Sequence, residues 1–130
     1  MSSLEEIKTY SYSFEKLIVW QKSIELAKRI YSITSQFPKE ETYGLSSQIR
    51  RAVVSISSNI AEGYVKSSAK EQVRFTEIAY GSLMEVLNQV IIANKIGYIF
   101  EDDYLILRQD IEEISRMLNA LRNSQIEKQD

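Results

Sequence analysis

The sequence contains no cysteine and no histidine. Without cysteine the chain has no disulfides, no zinc–thiolate sites and no thiol nucleophile. Without histidine it lacks the most frequent general base, the Ser-His-Asp triad and the Glu-x-x-His motif of di-iron bundles. A catalyst built only from carboxylate, lysine, arginine, tyrosine and serine side chains remains open. We therefore predict a protein that is not an enzyme and that has no metal site and no cofactor.

Proline and glycine are scarce, with one proline and four glycines in 130 residues. So few chain breakers favour a few long helices over many short strands. Uninterrupted apolar runs reach only about four residues, as at 17–20, whereas a membrane-spanning helix needs about 20. Residues 1–13 are polar and contain no apolar segment of the kind found in signal peptides. We therefore expect a cytoplasmic protein that makes no membrane contact.

The residues that are present describe an ordinary globular domain, 44% apolar and 26% charged. The formal net charge of −2 is unlike the strongly basic balance of a dedicated nucleic-acid-binding protein. Apolar residues recur at steps of three and four in four segments, and no segment alternates with a period of two. We predict helices at about 14–36, 43–64 (its regular part at 45–63), 68–96 and 101–123.

Four helices joined by short connections predict an all-α fold, an antiparallel up-down-up-down four-helix bundle. The bundle would occupy 14–123, between a flexible arm at 1–13 and a frayed tail at 124–130. Ser68 and Glu71 have the spacing of a capping box at the start of the third helix. Gly97 is predicted to close the same helix.

The first helix carries two apolar stripes, which together are wider than one neighbouring helix requires. One stripe, which includes Trp20 and Tyr31, follows heptad steps and is predicted to be the core seam. The second contains Leu26, Ile30 and Ile33. It packs either on the fourth helix or on another subunit, and we favour a subunit interface for part of this surface.

The stretch 48–63 is the most unusual part of the chain, because polar residues lie close to its apolar helical face. Ser55, Asn59 and Glu62 are the polar members, and Gly63 follows them. They could form a site for RNA or for a partner protein. The alternative, which we favour, is structural: Asn59 and Glu62 would satisfy backbone groups where the second helix turns into the third.

Arg51 suggests a second structural hypothesis. If the second and third helices are antiparallel, Arg51 lies level with Gly81, one turn from Glu77 and from Glu85. An ion pair between Arg51 and one of these carboxylates would then cross the interface. Gly81 would allow the two backbones to approach closely.

Charge is unevenly distributed along the chain. Residues 45–74 contain five basic and two acidic residues, whereas 101–130 contain four basic and eight acidic ones. Steps of four residues bring cations together near the start of the third helix, with a tyrosine available for base stacking. A solvated helix face is the alternative interpretation. The candidate nucleic-acid contacts are Arg50, Tyr64, Lys66, Lys70 and Arg74.

Several motifs resemble those of a bacterial four-helix-bundle family, the 23S rRNA intervening-sequence proteins. They cover about 14–122 and occur in the family's order. The motifs are Phe14-Glu15-Lys16-Leu17-Ile18-Val19-Trp20-Gln21, Phe37-Pro38-x-x-Glu41-x-Tyr43-Gly44-Leu45, Gln48-Ile49-Arg50-Arg51-Ala52, Ser55-Ile56-x-x-Asn59-Ile60-Ala61-Glu62-Gly63 and Gly81-Ser82-Leu83-x-Glu85.

The resemblance implies a four-helix protomer that assembles into a homopentamer and is connected with RNA. Members of the family are encoded inside insertions in large-subunit rRNA genes. They are also similar to the accessory variability proteins of diversity-generating retroelements, which form pentameric barrels and bind nucleic acid and a reverse transcriptase. The resemblance supplies no catalytic residue.

Two functions from different classes follow from these observations. The first is an oligomeric RNA-associated protein that acts through the positive zone at 64–74. The second is an adaptor for a protein such as a reverse transcriptase, with the acidic exterior of the fourth helix as the contact surface. A helical-bundle toxin ribonuclease is a poor match, because such enzymes depend on a histidine.

Overall fold

A computed structural model describes residues 3–128 of the chain. Within that range the protein is all-α, with four long helices and no strand, which confirms the all-α, four-helix part of the prediction. Short 3-10 turns at Ser3–Glu6, Ser13–Lys16 and Lys39–Glu41 precede or connect the helices. The helices are α1 (Ile18–Thr34), α2 (Leu45–Tyr64), α3 (Ala69–Lys95) and α4 (Glu101–Glu127).

The first helix begins at Ile18, four residues later than the predicted start at 14. Residues 13–16 form a separate 3-10 turn, in which the Glu15 carboxylate accepts a hydrogen bond from the Tyr12 backbone N–H at 2.7 Å. Leu17 then adopts an extended conformation, with φ −72° and ψ 124°, which separates this turn from α1. The hydrogen bond from Tyr12 to Glu15 thus stabilises a separate turn at residues 13–16, in competition with an extension of α1 toward residue 14. Residues 1 and 2 of the predicted arm lie outside the described range.

The fourth helix continues to Glu127, whereas 124–130 was predicted to be a frayed tail. Gln125 is only 3% exposed, and its side chain accepts a hydrogen bond from Thr76 on α3 at 2.7 Å. A paired polar residue thus occupies the inward position one turn after Leu121. The apolar pattern ends at this position, but α4 continues to pack against α3. Residues 129 and 130 of the predicted tail lie outside the described range.

The inward face of α1 differs from the predicted seam. Leu26 and Ile30 are 1% and 0% exposed and belong to the core, so the predicted subunit interface at these two residues is wrong. Tyr31, which was assigned to the seam, is 43% exposed. The buried face also includes Ser23 and Thr34, whose hydroxyls donate to the carbonyls of Val19 and Ile30 at 2.8 and 2.7 Å. A hydroxyl that is bonded to a backbone carbonyl can occupy a core position at little cost in free energy. The buried face of α1 is therefore less apolar than the adjacent stripe that was predicted to be the seam.

Each helix contacts the next one along the chain, and α1 also contacts α4. Ion pairs of 3.1 Å (Lys22–Glu113) and 3.0 Å (Arg29–Asp110) join α1 to α4. The core fills the space between these contacts and contains branched and small apolar side chains from all four helices. None of the helices in residues 3–128 combines the length and the hydropathy that a membrane span requires.

The connections of α3 follow the predicted signals. The Ser68 hydroxyl accepts a hydrogen bond from the Glu71 backbone N–H at 3.1 Å, so Ser68 is the N-cap of α3 as predicted. Gly97 has φ +88° immediately after the C-cap, a conformation that favours glycine at the end of a helix. At the start of α3 the helix lies very close to the end of α2, because a Cβ atom on Gly63 would be 2.5 Å from the Phe75 Cβ.

Candidate nucleic-acid interface

Two of the predicted cationic residues near the start of α3 lie against one aromatic ring. The Lys66 ammonium lies 5.1 Å from the centroid of the Phe75 ring, and the Arg74 guanidinium carbon lies 5.4 Å from it. Both are within the range of cation–π attraction. The Gln72 side chain donates a hydrogen bond of 2.8 Å to the Lys66 carbonyl. These contacts hold the short connection between α2 and α3 in place and fix the spacing of its cations.

A further cation joins this group from the far end of the chain. Lys128 and Lys70 line the same shallow surface cavity of about 450 Å³, together with Ser68 and Ala69. Lys128 follows α4 directly, so it reaches this position only because α4 continues beyond its predicted end. Sequence reasoning missed it for that reason. We use the name cation cluster for Lys66, Lys70, Arg74 and Lys128.

Most of the charge of the cation cluster is uncompensated. Arg74 has an acidic neighbour, Glu71, at 3.6 Å, in a solvent-exposed pair. The three lysines of the cluster form no ion pair with any other residue in the described range. Tyr64, the last residue of α2, is 37% exposed and lies two residues before Lys66. The structure thus places four of the five predicted contact residues in one region.

Arg50 is the exception, because it lies fourteen residues before Tyr64 in α2, about 20 Å along the helix axis at 1.5 Å per residue. Its Nε donates to the Thr34 hydroxyl at 2.8 Å, and a terminal nitrogen donates to the Tyr31 carbonyl at 3.2 Å. The guanidinium carbon lies 4.6 Å from the centroid of the Tyr31 ring. Arg50 therefore belongs to the junction of α1 and α2 and not to the cation cluster.

The predicted ion pair of Arg51 is wrong. Arg51 is exposed and pairs with neither Glu77 nor Glu85, and Glu77 instead lies 3.0 Å from Arg122 on α4. The predicted alignment would have placed Ser55 opposite Glu77. In the structure the Ser55 hydroxyl is 2.8 Å from that of Ser82, so α2 and α3 are aligned more than one helical turn away from the prediction.

Gly81 does not bring two backbones together, which also differs from the prediction. A Cβ atom on Gly81 would lie more than 4 Å from every heavy atom of the described chain, apart from its two chain neighbours and the nearby backbone of its own helix. The glycine that permits close approach is Gly63, where the same Cβ would overlap Phe75. Glu85 is exposed and forms no ion pair within residues 3–128.

The polar residues of the central stretch have separate roles. Asn59 donates to the Ser55 carbonyl at 2.8 Å and lies 3.0 Å from the Ser55 hydroxyl. Asn59 therefore bonds a carbonyl within α2. The expectation that it satisfies backbone groups at the end of the helix is wrong. Glu62 is exposed and forms no side-chain hydrogen bond with the rest of the described chain, so the expectation that it satisfies backbone groups is wrong.

Comparison with known proteins connects these motifs to a family. The family profile described as "23S rRNA-intervening sequence protein" matches residues 15–120, which is most of the chain. The chain belongs to the 23S rRNA-intervening sequence protein family. All the residues of the cation cluster except Lys128 lie inside the matched range. No curated protein was found to match the chain.

A solved structure has a similar fold. It is a protein of unknown function from the S23 ribosomal protein family of Bacteroides thetaiotaomicron VPI-5482, with a TM-score of 0.73 and 26% sequence identity. The match covers 81% of this chain and 98% of that chain. The family description links these proteins to the 23S rRNA intervening sequence, and the solved structure is described as a protein of unknown function.

Two features outside the cation cluster bear on the other expectations. The acidic surface of α4, the expected adaptor contact, is partly neutralised because Asp110 and Glu113 pair with Arg29 and Lys22 of α1. Within residues 3–128, no three acidic side chains converge in a way that could hold a metal ion.

Proposed function

We propose that this intervening-sequence family member is a non-enzymatic, RNA-associated protein of the bacterial cytoplasm that binds the RNA backbone through the cation cluster. The observation that carries the proposal is the convergence of Lys70 with Lys128, which follows the last helix; Lys66 and Arg74, each four residues from Lys70 in the sequence, flank Phe75. Such convergence occurs in a chain whose net charge is −2. The family's link to 23S rRNA supports RNA as the polyanion.

The physical basis of this binding is the release of counterions from the phosphates. Each phosphate contact on a single strand contributes a salt dependence of about −0.7 in the slope of log K against log salt concentration. Four cations are a modest number, so one protomer binds weakly and without sequence preference. Tyr64, exposed beside the cluster, adds a surface on which an unpaired base can stack.

We further propose that the four helices run up, down, up and down, and that five protomers form a ring. The ion pairs between α1 and α4 support opposite directions, because the later residue of α1 (Arg29) pairs with the earlier residue of α4 (Asp110). The number five comes from the resemblance to retroelement accessory proteins. A ring would repeat the cation cluster five times, and linked weak sites bind a long RNA much more tightly than one site does.

Exposed apolar side chains near the α3–α4 connection support self-association. Ile92 and Ile96 at the end of α3, Phe100 in the connection, and Leu105 and Ile106 in α4 are between 40% and 77% exposed. A group of exposed apolar residues at one end of a domain is typical of a contact surface. In a cyclic pentamer this surface would meet a different surface of the neighbouring subunit.

The test is crosslinking in the native host, followed by sequencing of the recovered RNA. The variant Lys66→Glu/Lys70→Glu/Arg74→Glu reverses three charges of the cation cluster. A matched control, Lys8→Glu/Lys28→Glu/Lys95→Glu, changes the net charge equally at exposed positions outside the cluster. We expect one class of RNA to be recovered with the wild type and the control, and to be lost with the cluster variant.

Two further measurements complete this experiment. Circular dichroism and native mass spectrometry establish that the cluster variant keeps its helices and its oligomeric state. Equal RNA recovery with the cluster variant and the wild type would contradict the proposal. The adaptor function would then be the better account, and proteins that crosslink to the oligomer would be identified instead.

A further inference from the structure

A second basic region lies in a groove between the end of α1, the 38–44 connection and the first turns of α2. Its volume is about 780 Å³. The side chains that line it include Lys39, Arg50 and Arg51, and none of its described lining residues is acidic. Two tyrosines, Tyr31 and Tyr43, line it as well. We use the name basic groove for this cavity.

Arg50 is fixed in the basic groove before any ligand arrives. Thr34, which is 3% exposed, accepts the hydrogen bond from Arg50 Nε and in turn donates to the Ile30 carbonyl. The Tyr31 carbonyl accepts a second hydrogen bond from Arg50, and the Tyr31 ring supports the guanidinium plane. A guanidinium has five N–H donors, so two such bonds leave donors for an anion. A cation already fixed in its bound conformation loses little entropy on binding.

The other two cations of the basic groove are not neutralised. Neither Arg51 nor Lys39 forms an ion pair within the described range. The nearby Glu41 carboxylate forms no ion pair with either of them; it lies at the N-terminus of α2, where it accepts a hydrogen bond of 3.1 Å from the Leu45 backbone N–H, and it accepts another of 3.1 Å from the Tyr98 hydroxyl.

Tyr43 gives the basic groove a feature that a simple phosphate site does not need. It is 97% exposed, an unusual position for a large aromatic side chain. Its ring lies at the edge of a cavity that also presents hydroxyls from Thr42, Ser46 and Ser47. An exposed ring, three cations of which Arg50 is held by hydrogen bonds, and several hydroxyl-bearing residues match the base, phosphate and ribose of one nucleotide unit.

We propose that the basic groove binds a nucleotide unit of single-stranded RNA, with the phosphate on Arg50, Arg51 and Lys39 and the base stacked on Tyr43. This inference rests on the proposed function, because it names the form of RNA that the protein binds. It adds a second site, about 20 Å from the cation cluster along α2. Duplex RNA contacts the cation cluster but does not use this groove, because its bases are already stacked and paired.

The test uses fluorescence anisotropy with a uridine oligonucleotide of about twelve residues, a length within the range of single-strand binding sites. Tyr43→Ala is compared with Tyr43→Phe, which retains the ring, and with Tyr10→Ala, a matched control at an exposed tyrosine outside the basic groove. Stacking of one base predicts a loss of about 5- to 150-fold for Tyr43→Ala. Tyr43→Phe and Tyr10→Ala should bind as the wild type does.

Arg51→Gln and a duplex RNA of the same length complete the design. Arg51→Gln should weaken the single strand by several-fold and leave duplex binding within twofold of wild type. If Tyr43→Ala and Arg51→Gln both bind the single strand as tightly as the wild type, while Lys66→Glu/Lys70→Glu/Arg74→Glu does not bind, the groove inference is overturned and the proposed function stands.

Free uridine monophosphate, titrated into the wild type, distinguishes the source of the nucleotide. Binding of the free nucleotide that is lost in Tyr43→Ala, with no binding of the oligonucleotide, would overturn RNA as the ligand. Binding of the duplex alone by the wild type would overturn the groove inference and leave the proposed function standing, whereas failure to bind the single strand, the duplex or the free nucleotide would overturn both.

Discussion

The Thr76 hydroxyl donates a 2.7 Å hydrogen bond to the Gln125 side-chain carbonyl, and both residues are 3% exposed. This bond joins the second turn of α3 to the last turns of α4. Thr76 also contacts its own helix, because its hydroxyl is 3.0 Å from the Gln72 carbonyl. This buried polar pair therefore helps to hold the last part of α4 against α3.

Thr76→Val should lower the free energy of unfolding by about 1–3 kcal/mol, because the Gln125 carbonyl would remain buried without its donor. The measurement is urea unfolding followed by circular dichroism. Gln125→Met in the Thr76→Val background should recover part of the loss, since an apolar pair leaves no polar group unsatisfied. A Thr76→Val variant as stable as the wild type would show that the pair is not formed in solution.

Gly63→Ala should destabilise the protein because its Cβ would overlap the Phe75 Cβ. Overpacking of this kind costs about 1–3 kcal/mol, although alanine gains about 0.5–1 kcal/mol over glycine within a helix. Gly81→Ala is the matched control, because a Cβ at this position would contact no described residue outside its own turn of the helix. It should stabilise the protein by about 0.5–1 kcal/mol. Thermal unfolding of the two variants should therefore give shifts of opposite sign.

Lys128→Gln should reduce the salt dependence of RNA binding. The removal of one phosphate contact lowers the magnitude of the slope of log K against log salt by about 0.7 for a single strand. RNA affinity measured at several salt concentrations gives this slope. Lys95→Gln removes a cation at the other end of α3 and should leave the slope unchanged. An unaltered slope in Lys128→Gln would exclude this residue from the RNA contact.

Tyr98 should make stability fall at alkaline pH. The hydrogen bond from its hydroxyl to the Glu41 carboxylate, and then burial, raise the pKa of Tyr98 above its usual value. The unfolded chain releases this proton near pH 10, and the folded protein releases it at a higher pH. The contribution to stability is therefore complete below about pH 10 and is lost as the pH rises through the folded-state pKa.

Tyr98→Phe tests this pH dependence, because it keeps the ring contact with Phe37 (5.4 Å between centroids) and removes the titrating group. Urea unfolding at several pH values between neutral and strongly alkaline gives the free energy of unfolding for both proteins. The decrease above about pH 10 should be smaller in Tyr98→Phe. Parallel curves for the two proteins would exclude Tyr98 as its source.

The helices could be predicted because their signals are local. Apolar periodicity marks each segment, Ser68 caps α3, and Gly97 ends it with a positive φ. The inward face of α1 could not be predicted by the same rule. Ser23 is buried with its hydroxyl bonded to the preceding turn, although a serine gives no apolar signal, and Tyr31, which follows the heptad steps, is exposed.

The errors in the site have a different origin, because they concern the alignment of elements that are distant in sequence. Periodicity does not reveal which turn of α2 faces which turn of α3, so the ion pair predicted for Arg51 was placed more than a turn away from the alignment set by Ser55 and Ser82. Lys128 was missed because its place beside Lys70 requires the last turn of α4. Tyr43 carries no periodic signal, since it lies in a connection.

The position of Lys128 beside Lys70 also has a practical consequence for the choice of affinity tag. Any sequence fused after this end of α4 starts next to the cation cluster. An acidic epitope tag placed there would act as a tethered competitor for RNA, and a polyhistidine tag would add charge to it as the pH falls. Measurements of RNA binding should therefore use a tag at the other end of the chain, or a tag that is removed by proteolysis.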